Sequence, residues 1–216
     1  MREDDDVTSQ PVSHVEIERK FSLSDASAVP DPADWPGVGS VSGERSFHLD
    51  ATYFDTHDVT LAALGITLRR RLGGTDAGWH LKLPQSQDAR EEIRLPLDAC
   101  DDDRMVPAAL IEGVAHVLGA RQVEPVCRVV TRRTEWDLGG DGTILAITCD
   151  DYVSVENLID PGQDRQWHEM EVELVHGDTD FLEAVTAHLA RCGVPQASIA
   201  SKLRAAMGTL MDRRPS

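Results

Sequence analysis

One stretch constrains this chain more than any other: His14-Val15-Glu16-Ile17-Glu18-Arg19-Lys20-Phe21. Read as a strand, it places Glu16, Glu18 and Lys20 on one face, because successive side chains alternate sides. Val15, Ile17 and Phe21 lie on the other face, with Arg19 among them. The apolar row needs a packing partner outside the strand. The charged row must then look into a polar space that is still inside the protein. Two carboxylates one strand repeat apart can grip a hard cation through oxygen. A lysine two residues on adds a positive point for an anion, and a ligand that combines metal with phosphate needs both. The competing account is a solvent-facing edge strand of mixed charge, a common device in sheets.

With 216 residues the chain suffices for one domain with a sizeable core or for one large barrel. Residues 1–12 are acidic and polar, hold no apolar period and read as a disordered tail. The folded domain is expected over 13–210, with 211–216 a second tail. No run approaches the apolar length of a membrane helix, and the opening Arg2-Glu3-Asp4-Asp5-Asp6 is not a signal peptide. Both points favour a cytoplasmic protein without a membrane partner. Cys100, Cys127, Cys149 and Cys192 are widely spaced and form no C-x-x-C pair, so they read as buried thiols. The formal net charge of -17 argues against nucleic-acid binding by the whole-protein field. An anionic ligand stays possible if the basic residues turn inward and the acids outward.

The rest of the chain reads mainly as strands. Strand signals fall at 14–22, 46–54, 66–72, 78–83 and 89–95, and in pieces over 122–138. Thr143–Asp150 and Tyr152–Ile159 read as a hairpin, and Gln166–Val175 as a further strand. A short helix is expected over Asp58–Leu64, capped by Asp55 or Thr56 and ended by Gly65. A turn of helix fits near Asp31–Trp35. Longer helices are expected over 107–119, where Leu110, Ile111, Val114, Val117 and Leu118 repeat at three and four, and over 179–192 and 201–212.

Alternation also sorts the charges. Arg69 and Arg71 share a face and Arg70 takes the other. Lys82 shares a face with His80. Arg90, Glu92 and Arg94 lie together, as do Glu169, Glu171 and Glu173. Guanidinium groups bind phosphate bidentately, and ammonium groups act as point charges. Three glutamates in a row repel one another unless counter-ions are present, and a metal supplies them. For the pair Asp150-Asp151, the small or polar row Ala146, Thr148 and Asp150 suits a solvated interior better than Ile147 and Cys149, which selects Asp150. His14 lies on the charged face and reads as a strand-end residue.

These residues carry a resemblance. Glu16-x-Glu18-x-Lys20 resembles the ExExK signature of the CYTH superfamily, the triphosphate tunnel metalloenzymes. The likeness continues, in the family's order, at Tyr53-Phe54-Asp55-Thr56, Leu68-Arg69-Arg70-Arg71, Leu81-Lys82-Leu83-Pro84, Glu169-Met170-Glu171-Val172-Glu173 and Ser201-Lys202. It implies an α+β, β-dominated chain: a closed antiparallel barrel of about eight strands with several flanking helices. The bore would bind a triphosphate together with Mg²⁺ or Mn²⁺. Lys20, Arg69, Arg71, Lys82, Arg90, Glu92, Arg133 and Lys202 take the positions of substrate-binding residues. Arg132 leaves the register at Arg133 open by one residue, and Arg94 stands where the family usually has an acid. Glu16, Glu18, Asp150, Glu169, Glu171 and Glu173 take metal positions, with Glu171 or Asp150 as acceptor of the water proton. Oxygen-only ligands select Mg²⁺ or Mn²⁺ over zinc.

The resemblance implies three activities: hydrolysis of inorganic triphosphate, hydrolysis of thiamine triphosphate, and cyclisation of ATP. The thiamine branch has a tryptophan just before its Leu-Arg-Arg-Arg, whereas this chain has Thr67. Losing such a platform removes roughly 1 kcal/mol of stacking. Inorganic triphosphate is therefore the first expectation and thiamine triphosphate the second. Should an aromatic platform be needed, Trp79 and Trp167 are its candidates. A non-catalytic polyphosphate- or nucleotide-binding module is the alternative from another class. The expected partner is a small-molecule triphosphate, on a monomer or a homodimer.

Overall fold

In the computed structural model, which describes residues 11–24, 28–198 and 201–212 (side chains only to 208), eight antiparallel strands close into a barrel. The strands are β1 (Val12–Leu23), β2 (Ser40–Asp55), β3 (Thr67–Leu72), β4 (Gly78–Pro84), β5 (Ala89–Leu95), β6 (Glu124–Gly140), β7 (Thr143–Asn157) and β8 (Arg165–Leu174). Around the wall the order is β1-β5-β4-β3-β2-β6-β7-β8, and β8 pairs back onto β1. Closure removes the exposed edges that would otherwise seek another strand. It also gives every strand an inner and an outer face, which is what the alternation of charged and apolar residues requires. The tails at 1–10 and 213–216 lie outside the described residues. Among those described, no helix is long and apolar enough to cross a membrane.

Helices cover the outer faces and one end. α1 is a single turn, Thr60–Ala63, shorter than the expected Asp58–Leu64. Asp55 Oδ1 and Oδ2 accept from the backbone N–H groups of Leu61 and Ala62, each at 2.8 Å, and Thr56 Oγ1 accepts from Thr60 N at 2.9 Å. These side chains satisfy first-turn donors that the helix itself cannot. α2 (Ala108–Leu118) lays Leu110, Val114 and Leu118 on Leu68, Trp79 and Leu81, which point outward from β3 and β4. α3 (Thr179–Arg191) packs Leu182, Val185 and Leu189 on Phe21, Met170 and Val172. Asp178 caps it through Phe181 N at 2.8 Å. α4 (Lys202–Asp212) differs from the other two, because its Leu203, Ala206 and Met207 pack among Ala51, Tyr53, Cys127, Val129 and Val153. Several of these line the bore, so α4 stoppers one end of it.

Three strands run longer than the sequence suggests. β2 begins at Ser40 and carries an irregularity between Ser42 and Arg45. β6 is continuous rather than in pieces. β7 is one strand, not a hairpin: Asp150, Asp151 and Tyr152 pair straight across to Arg132–Thr134 and His168–Met170. The two aspartates do not break it because each has a partner, Asp150 in His168 and Asp151 in Arg133. The expected helical turn near Asp31 is a 3-10 turn, Pro32–Asp34, with Asp31 accepting from Ala33 N.

Candidate functional site

Five carboxylates and eight basic side chains line the main cavity of the bore. Glu92, Asp151 and Glu169 stand just behind this lining, so cations and carboxylates in the bore balance, and the net charge of -17 is carried elsewhere on the chain. The paired side chains leave a cavity of about 80 Å³, well below the roughly 300 Å³ of ordinary ligand sites. A ligand entering here must take over the cations from their present carboxylate partners.

β1 delivers the charged row as its alternation dictates. Glu16 is buried, Glu18 and Lys20 face the cavity, and Val15 is 54% exposed on the outside. Arg19 points outward and ties the wall to α3, bonding Asp88 at 2.8 Å and Thr186 at 3.0 Å. Glu18 pairs in register with Glu173, and Lys20 with Glu171. Burial pushes the Glu18 carboxyl up, but Lys20, Lys82 and Arg90 together outweigh it and the net shift is down. Glu173 has no such relief. Burial, then Glu16 and Glu18, push its carboxyl up to about 7. Glu16 and Glu18 thus disfavour charge on Glu173, a strain that a divalent cation bound through oxygen would relieve.

A second acidic group stands across the bore. Asp151, Glu169 and Glu171 each offer an oxygen, with those atoms within 4.8 Å of one another. Arg133 donates to Asp151 at 2.8 and 2.6 Å and to Glu171 at 2.6 Å. Lys202, the first residue of α4, reaches Asp151 at 2.8 Å and Glu169 and Glu171 at 2.5 Å. Lys20 also pairs with Glu171. Burial raises the Glu171 carboxyl, but Lys20, Lys202 and Arg133 hold it well below the usual carboxylate range. Trp167 donates its indole N–H to Glu169 at 2.7 Å.

Asp150 must be corrected. It faces outward, its carboxylate paired with His168, and the bore aspartate is Asp151. Polarity does not mark the inner face here, because α3 covers the outside of the wall at Ala146. Ala146 and Thr148 are small so that this packing can be close, while Ile147 and Cys149 belong to the wall of the bore. The same register settles Arg133 as the inward arginine. Arg132 lies outside, its guanidinium 5.5 Å from the Tyr152 ring centre.

The β3–β4–β5 wall places Arg69, Arg71, Lys82, Arg90 and Arg94 at the cavity and Glu92 behind them at 0% exposure. Lys82 pairs with Glu16 and also stands 3.4 Å from Glu92. Arg94, the departure from the family pattern, bonds Glu92 and reaches Glu16 at 3.2 Å. His14 is closer to the site than a strand-end residue need be: its Nε2 lies 3.4 Å from Glu16 and 3.5 Å from Glu92. Two further residues escaped sequence reasoning. His80 is buried between Glu92 and the Asp76 carbonyl, each at 2.9 Å, and Asp76 pairs with Arg71. Their signal was present in part, since His80 shares a face with Lys82, but nothing local reveals that a hairpin loop folds back over the bore. Trp79 is not a platform: it is fully buried outside the barrel against Phe54, ring centres 5.3 Å apart.

A closed eight-stranded barrel whose charged groups converge on its bore is the class of protein that fold and site define. The CYTH domain family model matches residues 14–203, and the chain belongs to that family. Uncharacterized proteins from two strains of Mycobacterium tuberculosis are 38% identical over 213 residues, covering 92% of this chain. The match spans only 41% of those relatives' length. Among solved structures, a Bacillus halodurans protein described as a candidate adenylate cyclase superposes with a TM-score of 0.61 at 17% identity, covering 89% of this chain and 97% of that one. A Hippeastrum protein, a candidate adenylyl cyclase described as having a dominant triphosphatase activity, gives 0.53 at 18% identity, with 90% and 96% covered. At such identities these two likenesses concern the fold.

Proposed function

We propose that this chain hydrolyses a triphosphate held in the bore with a divalent metal, and that inorganic triphosphate is its preferred substrate. The carrying observation is the convergence of eight basic side chains from six different elements on one cavity, beside which stand two clusters that could hold a metal, His14-Glu16-Glu92 and Asp151-Glu169-Glu171. A triphosphate carries about four negative charges, and binding it away from bulk water needs several cations at once. Family membership and the dominant triphosphatase activity described for the Hippeastrum protein support the same reading.

The residues divide the work. Arg69, Arg71, Lys82, Arg90, Arg133, Lys20 and Lys202 would bind the non-bridging oxygens and neutralise charge gathering there. Glu16, Glu18 and Glu173, and across the bore Asp151, Glu169 and Glu171, would hold the metal. Bound Mg²⁺ or Mn²⁺ supplies Lewis-acid polarisation of a phosphoryl oxygen and acidifies water. Glu171 is the acceptor for the water proton. In the free chain three cations keep it strongly acidic. A triphosphate that draws those cations toward its own oxygens returns proton affinity to Glu171.

Thiamine triphosphate is the second reading. Thr67, where the thiamine branch has tryptophan, is 4% exposed and lines the cavity. It provides no stacking surface. The test is a phosphate-release screen of inorganic triphosphate, thiamine triphosphate and ATP, with Mg²⁺ and Mn²⁺ in turn. Metal-dependent release, highest on inorganic triphosphate, is the expected result. Tight binding without release would favour the binding module instead.

A further inference from the structure

The two ends of the bore are closed by different means. At one end α4 inserts apolar side chains among Tyr53, Cys127 and Val153. At the other end the β3–β4 loop folds inward, and Asp76 lines both the main cavity and the outer vestibule beside it. The vestibule is also lined by Arg71, Arg94 and Arg133, with Glu135 and Glu173 beside them, so it carries charge of both signs out from the bore.

The loop is built to hold this position. Gly73 and Gly74 both have φ of +78°, a conformation open to glycine and strained for other residues, and together they reverse the chain toward the bore. His80, buried in β4, donates from Nε2 to the Asp76 carbonyl at 2.9 Å. That bond anchors the backbone of residue 76 without using its side chain. The Asp76 carboxylate is then free to pair with Arg71 and to stand 3.6 Å from Arg94. Arg71 is itself buried and lies across the strand ladder from Ala51, inside the wall.

We infer that Asp76 is a specificity-determining residue: a tethered carboxylate that occupies the Arg71 and Arg94 guanidinium groups and must be displaced by any anion binding at the mouth. The inference rests on the triphosphate reading of the bore and adds to it a means of discrimination. A tethered carboxylate competes at high effective concentration, as an intramolecular partner does. A triphosphate is held by cations deeper in the bore, Lys20, Lys82 and Lys202 among them, and depends little on the mouth. Orthophosphate, which is also the product, gains too few such contacts and is excluded. Asp76 thus keeps the site clear of small anions while admitting the long one.

The test measures binding directly, on the full chain in metal-free buffer, by titration calorimetry with inorganic triphosphate and separately with orthophosphate. Asp76→Asn keeps the side-chain shape and removes the charge. Orthophosphate should bind the variant about tenfold more tightly than wild type, the scale of one charge-assisted contact, and triphosphate should gain clearly less, so that the preference for triphosphate narrows; an equal gain for both anions overturns the inference. Asp76→Ser should behave alike, and each variant's melting curve confirms that it is folded. Unchanged or weaker binding by both folded variants overturns the inference, weaker binding showing that Asp76 orients Arg71 for the ligand. If wild type and variants alike bind no triphosphate, either in metal-free buffer or with Mg²⁺ added, the triphosphate reading falls and this inference with it. Binding by wild type without a difference in the variants sinks the inference alone.

Discussion

Arg133 and Asp151 face each other across the β6–β7 ladder and close a bidentate pair, 2.8 Å from Nε to Oδ1 and 2.6 Å from Nη2 to Oδ2. Each is one of two like residues in tandem, so the sequence offers two choices on each strand. The ladder joins them: register opposes 133 to 151 and 132 to 152, and the shared face follows for both at once. Burial leaves no room for either charge alone. Asp151 is 0% exposed, and Arg133 and Lys202 hold its carboxyl down against the penalty of burial.

Asp151→Asn is accordingly expected to cost stability as well as turnover. Removing one partner of a buried ionic network costs roughly 3–5 kcal/mol. At this chain length that lowers Tm by on the order of 10 °C. Asp150→Asn, on the outer face, should leave turnover within about twofold. Thermal melts and phosphate release for both variants decide the matter, and a silent Asp151→Asn would refute the pairing as described.

Glu16→Gln or Glu18→Gln should keep the fold and abolish turnover, because a neutral amide is a poorer cation ligand. The structure sharpens this for Glu16, whose carboxylate meets Lys82, Arg94 and His14. Turnover unchanged at saturating Mg²⁺ and Mn²⁺ would remove both residues from the metal site.

On β3, Arg69→Ala and Arg71→Ala should each cost about tenfold or more in kcat/KM, since a charge-assisted contact to phosphate is worth roughly 1.5–3 kcal/mol. Arg70→Ala should cost far less. Arg69 and Arg71 line the cavity, whereas Arg70 pairs across the ladder with Thr52 and Trp79 on the outer side. Equal losses from all three would mean that the wall, rather than the bore, is being disturbed.

The period of two makes most of the bore legible in the sequence itself. Glu16, Glu18, Lys20, Arg69, Arg71, Lys82, Arg90 and the glutamates of β8 all face inward because their apolar neighbours need the helices outside. The same period misleads at Asp150 because the stretch leading to it is buried on both faces, Ala146 and Thr148 on the outer and Cys149 on the inner. When α3 covers one side and the bore wall the other, polarity no longer distinguishes in from out. Asp76 and His80 depend on how a loop folds over a distant rim, and no local pattern encodes that. The acid that Arg94 replaces is visible, but its role as a cation bridging Glu16 and Glu92 follows only from the β1–β5 pairing.

Glu173 predicts a pH dependence. Its folded carboxyl is raised from 4.5 to about 7, by burial first and then by Glu16 and Glu18. A raised carboxyl means that the folded state keeps a proton that the unfolded chain has lost. Stability therefore falls as pH rises between 4.5 and 7, by on the order of 3 kcal/mol at most. In metal-free buffer, wild type should lose more stability from pH 5 to pH 8 than Glu173→Gln does. Adding Mg²⁺ at pH 8 should restore wild type more than the variant. Parallel melting profiles with and without metal would contradict the role of Glu173.

Substrate choice turns on what the bore offers beyond phosphate. Every cation placed there contacts charge and should serve inorganic triphosphate, thiamine triphosphate and ATP alike. Preference must come from the organic end, where single apolar or stacking contacts are worth about 1–3 kcal/mol. Trp79 is sealed in the outer core, Trp167 is spent on Glu169 and on packing near α4, and the Tyr53 hydroxyl faces Arg69 at 3.4 Å. Thr67 sits opposite Lys82 within the wall, so a tryptophan there would invade the bore rather than offer a platform at its rim. The expected outcome is a higher kcat/KM on inorganic triphosphate than on thiamine triphosphate in wild type. Thr67→Trp should then lower kcat/KM on both substrates through overpacking, which typically costs about 1–3 kcal/mol. A wild-type preference for thiamine triphosphate, or a gain on it from Thr67→Trp, would reverse the ranking and show that the organic end reaches residue 67.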